Sequence, residues 1–512
     1  AQVPYVTMSG SNDFHGNLIY YWNGRAVNAN DWFNNATGAP RPFSNDNQWA
    51  GRLGGPIIKN RTFFFVDNEG MRFILPVVST VTIPTTAFAN AVLANVQAKQ
   101  PVEASAYQQM FKLWAGAPGA SGAQDLANSS ACSSLSLPGF NPATQACSAR
   151  FNSNSTALAN EYIVAFRIDQ KISDNDNLFF RYKMDRGDQP TLVDPVNSAF
   201  NAISPQPSWD TQLNETHIFN PNLTNSFMAT LSHYVAQFAQ NAAAANAALP
   251  FSVINSGAVP FTGLNANYEF PQGRNITQYQ FIDDLSWVHG NHSIKFGLNF
   301  RRYDISDHNF FFNSPAIYFG YTVDGLQKFA DGLAYQYRKS ANLASNVPIA
   351  MLGMNGYVQD EWAVRPNLKL TLALRVEHNG NPTCNINCFA NFRTPWASLP
   401  SVTSADPGSV PYSSDIVTQV NRAFQGVDAV NWSPRFGFSW SPFRGNKTVI
   451  SGGVGIFYDN VAAGLVDELL ANPPVSVALR VRPHAGVLPF DPNGGPATWA
   501  ASAAAFSVNK TY

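Results

Sequence analysis

What this chain of 512 residues lacks narrows it first. It contains no run of 18 apolar residues, so no transmembrane helix can be drawn from it, and strands are the remaining way for it to span a bilayer. Charge is scarce: Asp, Glu, Lys and Arg make up 13 %, against roughly 25 % in soluble domains, which leaves little ionic surface to keep a large protein dispersed. The net charge of −1 offers nothing to a phosphate backbone and argues against a nucleic-acid partner. The opening AQVPYVTMSG has no initiator Met, basic stretch or apolar stretch of a signal peptide, so the sequence reads as a mature chain or a fragment.

Cysteine is rare too. Its four copies fall as Cys132 with Cys147 and Cys384 with Cys388, each pair inside one loop-like connection. Even, local pairing fits disulfides in an oxidising compartment. A zinc site is the alternative, but Cys384-Asn-Ile-Asn-Cys388 lacks both the two-residue spacing and a second pair nearby.

What is present is aromatic and turn-forming: 38 Phe, 35 Gly and 34 Pro describe a β-rich chain with many reversals. NLKLTLALRVEHN, 367–379, sets Leu368, Leu370, Leu372, Leu374 and Val376 on one parity and Lys369, Thr371, Arg375 and Glu377 on the other. A period of two is a strand with one oily and one charged face. Thirteen such strands are predicted, some clean (YIVAFRIDQKI, NLFFRYKMDR, SIKFGLNFRRYDI) and two, TQLNETHIF and TQYQFIDDLSWV, alternating poorly.

The connections carry the most information. Tight turns are predicted after every even strand, at Lys59-Asn60-Arg61, 173–176, Asn220-Pro221-Asn222, 289–292, Arg365-Pro366-Asn367 and 443–446. Long loops follow every odd strand. The loop after the third is expected to run about eighty residues to Glu161, and GLQKFADGLA, 325–334, suggests a short helix in a later one. Short turns at one end and long loops at the other describe an all-β, transmembrane antiparallel β-barrel with periplasmic turns and extracellular loops. Tyr20, Trp22, Trp49, Tyr162, Trp287, Trp362 and Trp440 lie near strand ends, where an aromatic girdle belongs. The alternative is a soluble secreted β-sandwich or propeller that binds carbohydrate.

In the barrel reading the lumen parity carries Arg52, Arg167, Lys171, Arg181, Lys183, Lys295, Arg301, Lys369, Arg375 and Arg435, candidates for contacting an anionic ligand or a plug. No catalytic constellation emerges, so an enzyme is not expected. Asp283 and Asp284 face opposite sides of a strand, His289 and His292 flank a turn without a third ligand, and Gly452, Gly453 and Gly455 lack the Lys-Ser/Thr of a phosphate loop. No cofactor or metal is expected.

SGSNDFHGNLIYYWNGRAVNANDWFNN, QWAGRLGGPIIKNRTFFFVDNEGMRF, GYVQDEWAVRPNLKLTLALRVEHN and WSPRFGFSWSPFRGNKTVISGGVGIFYDN occur in that order between about Val3 and Asn460. Together they resemble the barrel of TonB-dependent receptors, specifically the Oar-like group. The resemblance implies a 22-stranded barrel closed by an N-terminal plug, which takes up a scarce ligand across the outer membrane using the TonB complex. It implies that residues 1–10 end the plug and that 11–512 are a barrel portion of about 13 strands, the last ending near 460 and followed by loop. The expectation is a piece truncated at both ends, with lipid, plug, TonB complex and an unidentified ligand as partners.

Overall fold

A computed structural model describes residues 7–481, apart from 31, 38–39, 268, 309–312, 343, 399–414, 444–446, 460, 462 and 473. The thirteen long strands are β1 (His15–Gly24), β2 (Asn45–Ile58), β3 (Thr62–Pro84), β4 (Ser148–Lys171), β5 (Asp176–Leu192), β6 (Ser208–Asn220), β7 (Leu223–Gln240), β8 (Gln272–His289), β9 (His292–Asp307), β10 (Val347–Arg365), β11 (Leu368–Asn379), β12 (Asn431–Trp440) and β13 (Ile450–Gly455). Each pairs antiparallel with the next, giving one continuous sheet. Among the described residues β1 and β13 do not pair with each other.

The register carries one parity unbroken across the sheet. Leu374 stands opposite Val358 and Pro434, and Val358 opposite Phe296. On the other parity Arg375 stands opposite Tyr357 and Ser433. Exposure is inverted relative to a soluble protein: Leu298 is 67 % exposed and Val454 73 %, whereas the Arg167 and Arg181 side chains are only 15 % and 20 % exposed. Among the described residues no second sheet covers the oily face, which removes the sandwich alternative. Such a surface is stable only against hydrocarbon. On β12 the outward parity runs Trp432, Pro434, Phe436, Phe438, Trp440, with indoles at both ends roughly 27 Å apart, close to the height of an apolar barrel band. Trp49 lies flat over Gly70 and meets Tyr162 at 5.8 Å. A Cβ on Gly70 would come within 2.2 Å of the indole.

The tight turns use residues that tolerate left-handed backbone. Asn60 has φ 60° and Gly290 has φ 58°. The turn expected at 443–446 includes 444–446, outside the described residues. The loop after β3 is shorter than expected because ILPVVSTVTIP, a β-branched run, continues β3 to Pro84 and pairs with β4 from Ser148. These strands have 23 and 24 residues, more than twice the roughly 10 that a membrane-crossing strand needs, so both project far beyond the membrane.

Several of the long loops expected from the sequence carry regular structure. Residues 85–147 form helices Thr86–Lys99 and Ala104–Ala115. The first is capped by Thr85 Oγ1, which accepts from the Phe88 N–H at 3.3 Å. The second buries Tyr107, Met110, Phe111 and Trp114, the i, i+3, i+4, i+7 stripe of an amphipathic helix. They pack against Phe251, Phe261 and Leu264 from the loop after β7, and against Phe319 and Phe329 from the loop after β9. The helix expected near 325 is there, at Gly325–Ala330. Burial pushes the Tyr107 phenol well above its ordinary range, aided by the Glu103 and Asp331 carboxylates, and its O–H donates to the Phe329 carbonyl at 2.8 Å. Val196 and Phe200 of the loop after β5 join the same cluster, so four loops share one core and make a folded cap.

The chain beyond β13 is also more than loop. Helix Ala463–Leu470 joins a second core with Ile349, Cys388 and Phe389, and strand Ser476–Val481 joins a four-stranded sheet with 252–255, 316–319 and 336–342. Arg274 of β8 ties that helix to the barrel: its Nη2 donates to Asp467 at 2.6 Å, while its Nε lies 3.8 Å from Asp307. Asp467→Ala is expected to weaken helix docking by about 1.5–3 kcal/mol, the worth of a hydrogen bond to a charged group. Hydrogen exchange at 463–470 should accelerate while β8 and β9 stay protected. Unchanged exchange would rule out the latch.

Candidate functional site in the ionic lumen

All nine basic residues chosen from the parity lie on the inner face, as does Lys171, but the register separates them into two groups. On one wall Arg167 pairs with Asp169 at 2.6 Å and lays its guanidinium 4.0 Å over the Phe179 ring. Arg181 pairs with Asp210 at 3.2 Å, Arg52 stands opposite Asp67, and Lys183 is held in the field of Glu161. Lys171 is at the rim, paired with Asp174. Further round, Lys369 pairs with Glu361, to which Lys295 is also attracted. Arg52, Lys183, Arg181 and Lys369 each face an acid on the next strand and so knit strands together, whereas the acid of Arg167 is on its own strand and that of Lys171 is in the adjoining turn.

The first wall also holds the start of the described chain. Arg167 Nη1 donates to Thr7 Oγ1 at 3.0 Å, and Arg52 Nη1 lies 3.2 Å from Met8 Sδ. Gly10 is pressed against the sheet, where a Cβ would come within 2.4 Å of the Phe64 carbonyl oxygen. Asn12 then clamps the first tight turn, its Oδ1 accepting from the Asn60 N–H at 2.7 Å. Thr7–Gly10 therefore run along the inside of the wall.

The second group is different. Arg301, Arg375 and Arg435 converge on a hollow of about 600 Å³ with Asn299, Asn355 and Asn379. Gly353, opposite both Arg301 and Asn379, leaves the space open. Arg375 is engaged by Glu377. Arg301 and Arg435 make no ion pair among the described residues: Arg301 Nη1 reaches only the Tyr303 hydroxyl at 3.3 Å, and Arg435 lies 4.4 Å over the Phe457 ring. The buried Arg301 Nε and Asn355 Oδ1 have no hydrogen-bond partner among the described residues.

Neutral residues completing the hollow were not picked from sequence, because Asn and Tyr on a lumen parity look like ordinary wall. Their parity with Arg301 was the available signal. Asp284 accepts from the Tyr357 hydroxyl at 2.9 Å inside, while Asp283, on the outer parity, accepts from Asn225 at 2.8 Å, so the two carboxylates do point apart. His292 pairs with Asp360 at 2.7 Å beside the Trp362 ring. Asp176, Glu215 and His217 bring three donor atoms within 4.8 Å of one another at the turn end, where Asp176 is engaged by His217 and Ser173. Cys132 and Cys147 form a bonded pair with Cα atoms 6.1 Å apart, holding the cap loop, and Cys384 and Cys388 form one at 5.8 Å beside the second core.

An antiparallel sheet that is apolar outside, ionic inside, girdled by indoles and turned tightly at one end is the wall of an outer-membrane β-barrel. The chain belongs to the outer membrane beta barrel domain family, whose model matches residues 6–512. It is an outer-membrane protein. No curated protein sequence matches it. Similar solved structures include the outer membrane transporter YddB from Escherichia coli (10 % identity, TM-score 0.44, covering 88 % of this chain and 44 % of that one). The ferric enterobactin receptor PfeA (9 %, 0.40, 88 % and 44 %) and the siderophore receptor PirA (8 %, 0.35, 85 % and 54 %), both from Pseudomonas aeruginosa, are further examples. The chain spans about half the length of these proteins.

Proposed function

We propose that this chain is the barrel wall of a TonB-dependent transporter of the Oar-like group, which moves a scarce ligand across the outer membrane, and that residues 1–10 are the end of its plug. The observation that carries the reading is the segment Thr7–Gly10, held on the lumen side by Arg52 and Arg167 rather than lying outside the wall. A barrel whose interior grips an inserted segment through exchangeable polar contacts is suited to gated passage. The four quoted sequence phrases add the family resemblance, and the folded cap supplies a structured outer mouth.

The test needs no ligand. Thr7→Cys, in the protein expressed in its native outer membrane, is exposed to a membrane-impermeant maleimide. If TonB works on this plug, labelling should be several-fold faster in energised cells with TonB than in cells lacking it. Equal labelling in both would remove TonB coupling while leaving the barrel intact.

A further inference from the structure

The hollow at Arg301 and Arg435 has a property the rest of the wall lacks. Elsewhere each inner cation named above faces an acid on its own strand, on a neighbouring strand or in the adjoining turn. Here three guanidiniums meet one paired carboxylate, Glu377, and the lining residue Asp459, while a buried guanidinium N–H and a buried amide oxygen have no partner among the described residues. Leaving buried polar groups unmatched costs about 1–3 kcal/mol each. Arg181 Nε is also unmatched, but its guanidinium has Asp210 at 3.2 Å, whereas Arg301 and Arg435 make no such ion pair among the described residues. Gly353 keeps the hollow open.

We propose that this hollow is a binding site for an oxyanion, a carboxylate or phosphate group on a small solute inside the lumen. Arg301 of β9 brings a guanidinium whose Nε–H is unmatched, and Arg435 lines the same hollow from β12. Arg forks match planar oxyanions in two-point fashion. Asn299, Asn355 and Asn379 can hydrogen-bond hydroxyl or amide groups beside the anion, and about 600 Å³ suits a metabolite-sized solute rather than a bare ion. Arg52, Arg167, Arg181, Lys183, Lys295 and Lys369 are then structural.

The experiment is calorimetric titration of the detergent-purified protein with citrate and with inorganic phosphate at low and at physiological salt. Citrate is expected to bind, more weakly as salt rises. Arg301→Gln and Arg435→Gln should each weaken it about tenfold, the worth of one charge-assisted contact. Arg181→Gln, with its partner Asp210 on the other wall, should leave it unchanged. Resistance to SDS without heating verifies folding of each variant. Absence of binding by both probes, or equal binding by all variants, overturns the site. An acidic side chain of the plug as the natural occupant would appear as citrate binding only after the segment containing Thr7 is displaced, and would overturn the solute assignment. Anion binding does not require TonB, so this result and the Thr7 labelling fail independently.

Discussion

Leu374→Arg is expected to lower the folding stability of the barrel by about 2–4 kcal/mol, the cost of a guanidinium at the middle of the lipid face. Leu374 lies in the outward row on β11 with Val358 and Pro434 across from it, so neither cross-strand partner is an acid. Thr371, on the other parity, faces the lumen opposite Glu361 and Gly437, so Thr371→Arg gains an acid in reach and open space beside it, and should be close to neutral. Urea titration of folding into lipid vesicles, read by the heat-dependent gel shift, measures both. Two substitutions to the same residue, three positions apart on one strand, should thus differ by a factor of roughly 30 to 1000 in folding equilibrium. In a soluble sandwich, with water at both faces or protein at one, this asymmetry has no cause.

Phe329→Ala is expected to undo the cap while sparing the barrel. The Phe329 ring is fully buried and meets Tyr107 at 5.1 Å, Phe319 at 5.1 Å and Phe261 at 5.7 Å, partners contributed by three different loops. Truncating such a core aromatic costs about 3–5 kcal/mol. Because the loops share one core, hydrogen-exchange protection at 86–115, 252–255 and 316–342 should fall together, with β8 to β11 unchanged. Loss confined to 325–330 would mean that the loops fold separately and that the cap is not one unit.

The membrane wall was legible in the sequence because a strand writes its surroundings into alternate residues. Even TQLNETHIF and TQYQFIDDLSWV, which alternate poorly, fall into β6 and β8, since their neighbours fix the register from both sides. The cap was not legible, because its core is assembled from residues more than two hundred positions apart, such as Tyr107 and Phe329, and each loop alone buries too little to announce a fold. The arms of β3 and β4 escaped for a related reason: outside the membrane no lipid enforces alternation, so ILPVVSTVTIP keeps strand propensity without the period. In the lumen the parity pointed to ten cations and missed Arg274 of β8, and only the register shows that Arg167 and Arg181 are neutralised while Arg301 and Arg435 are not.

Everything above depends on which solvent touches each face of the sheet. The most direct measurement is a cysteine scan from Lys369 to Val376 in vesicle-embedded protein, labelled with a small membrane-impermeant maleimide. Labelling at Lys369, Thr371, Ala373 and Arg375, with protection at Leu370, Leu372, Leu374 and Val376, is the predicted period of two. Equal labelling at both parities, or protection of the charged row instead, would contradict a lipid-facing oily surface around a wet lumen.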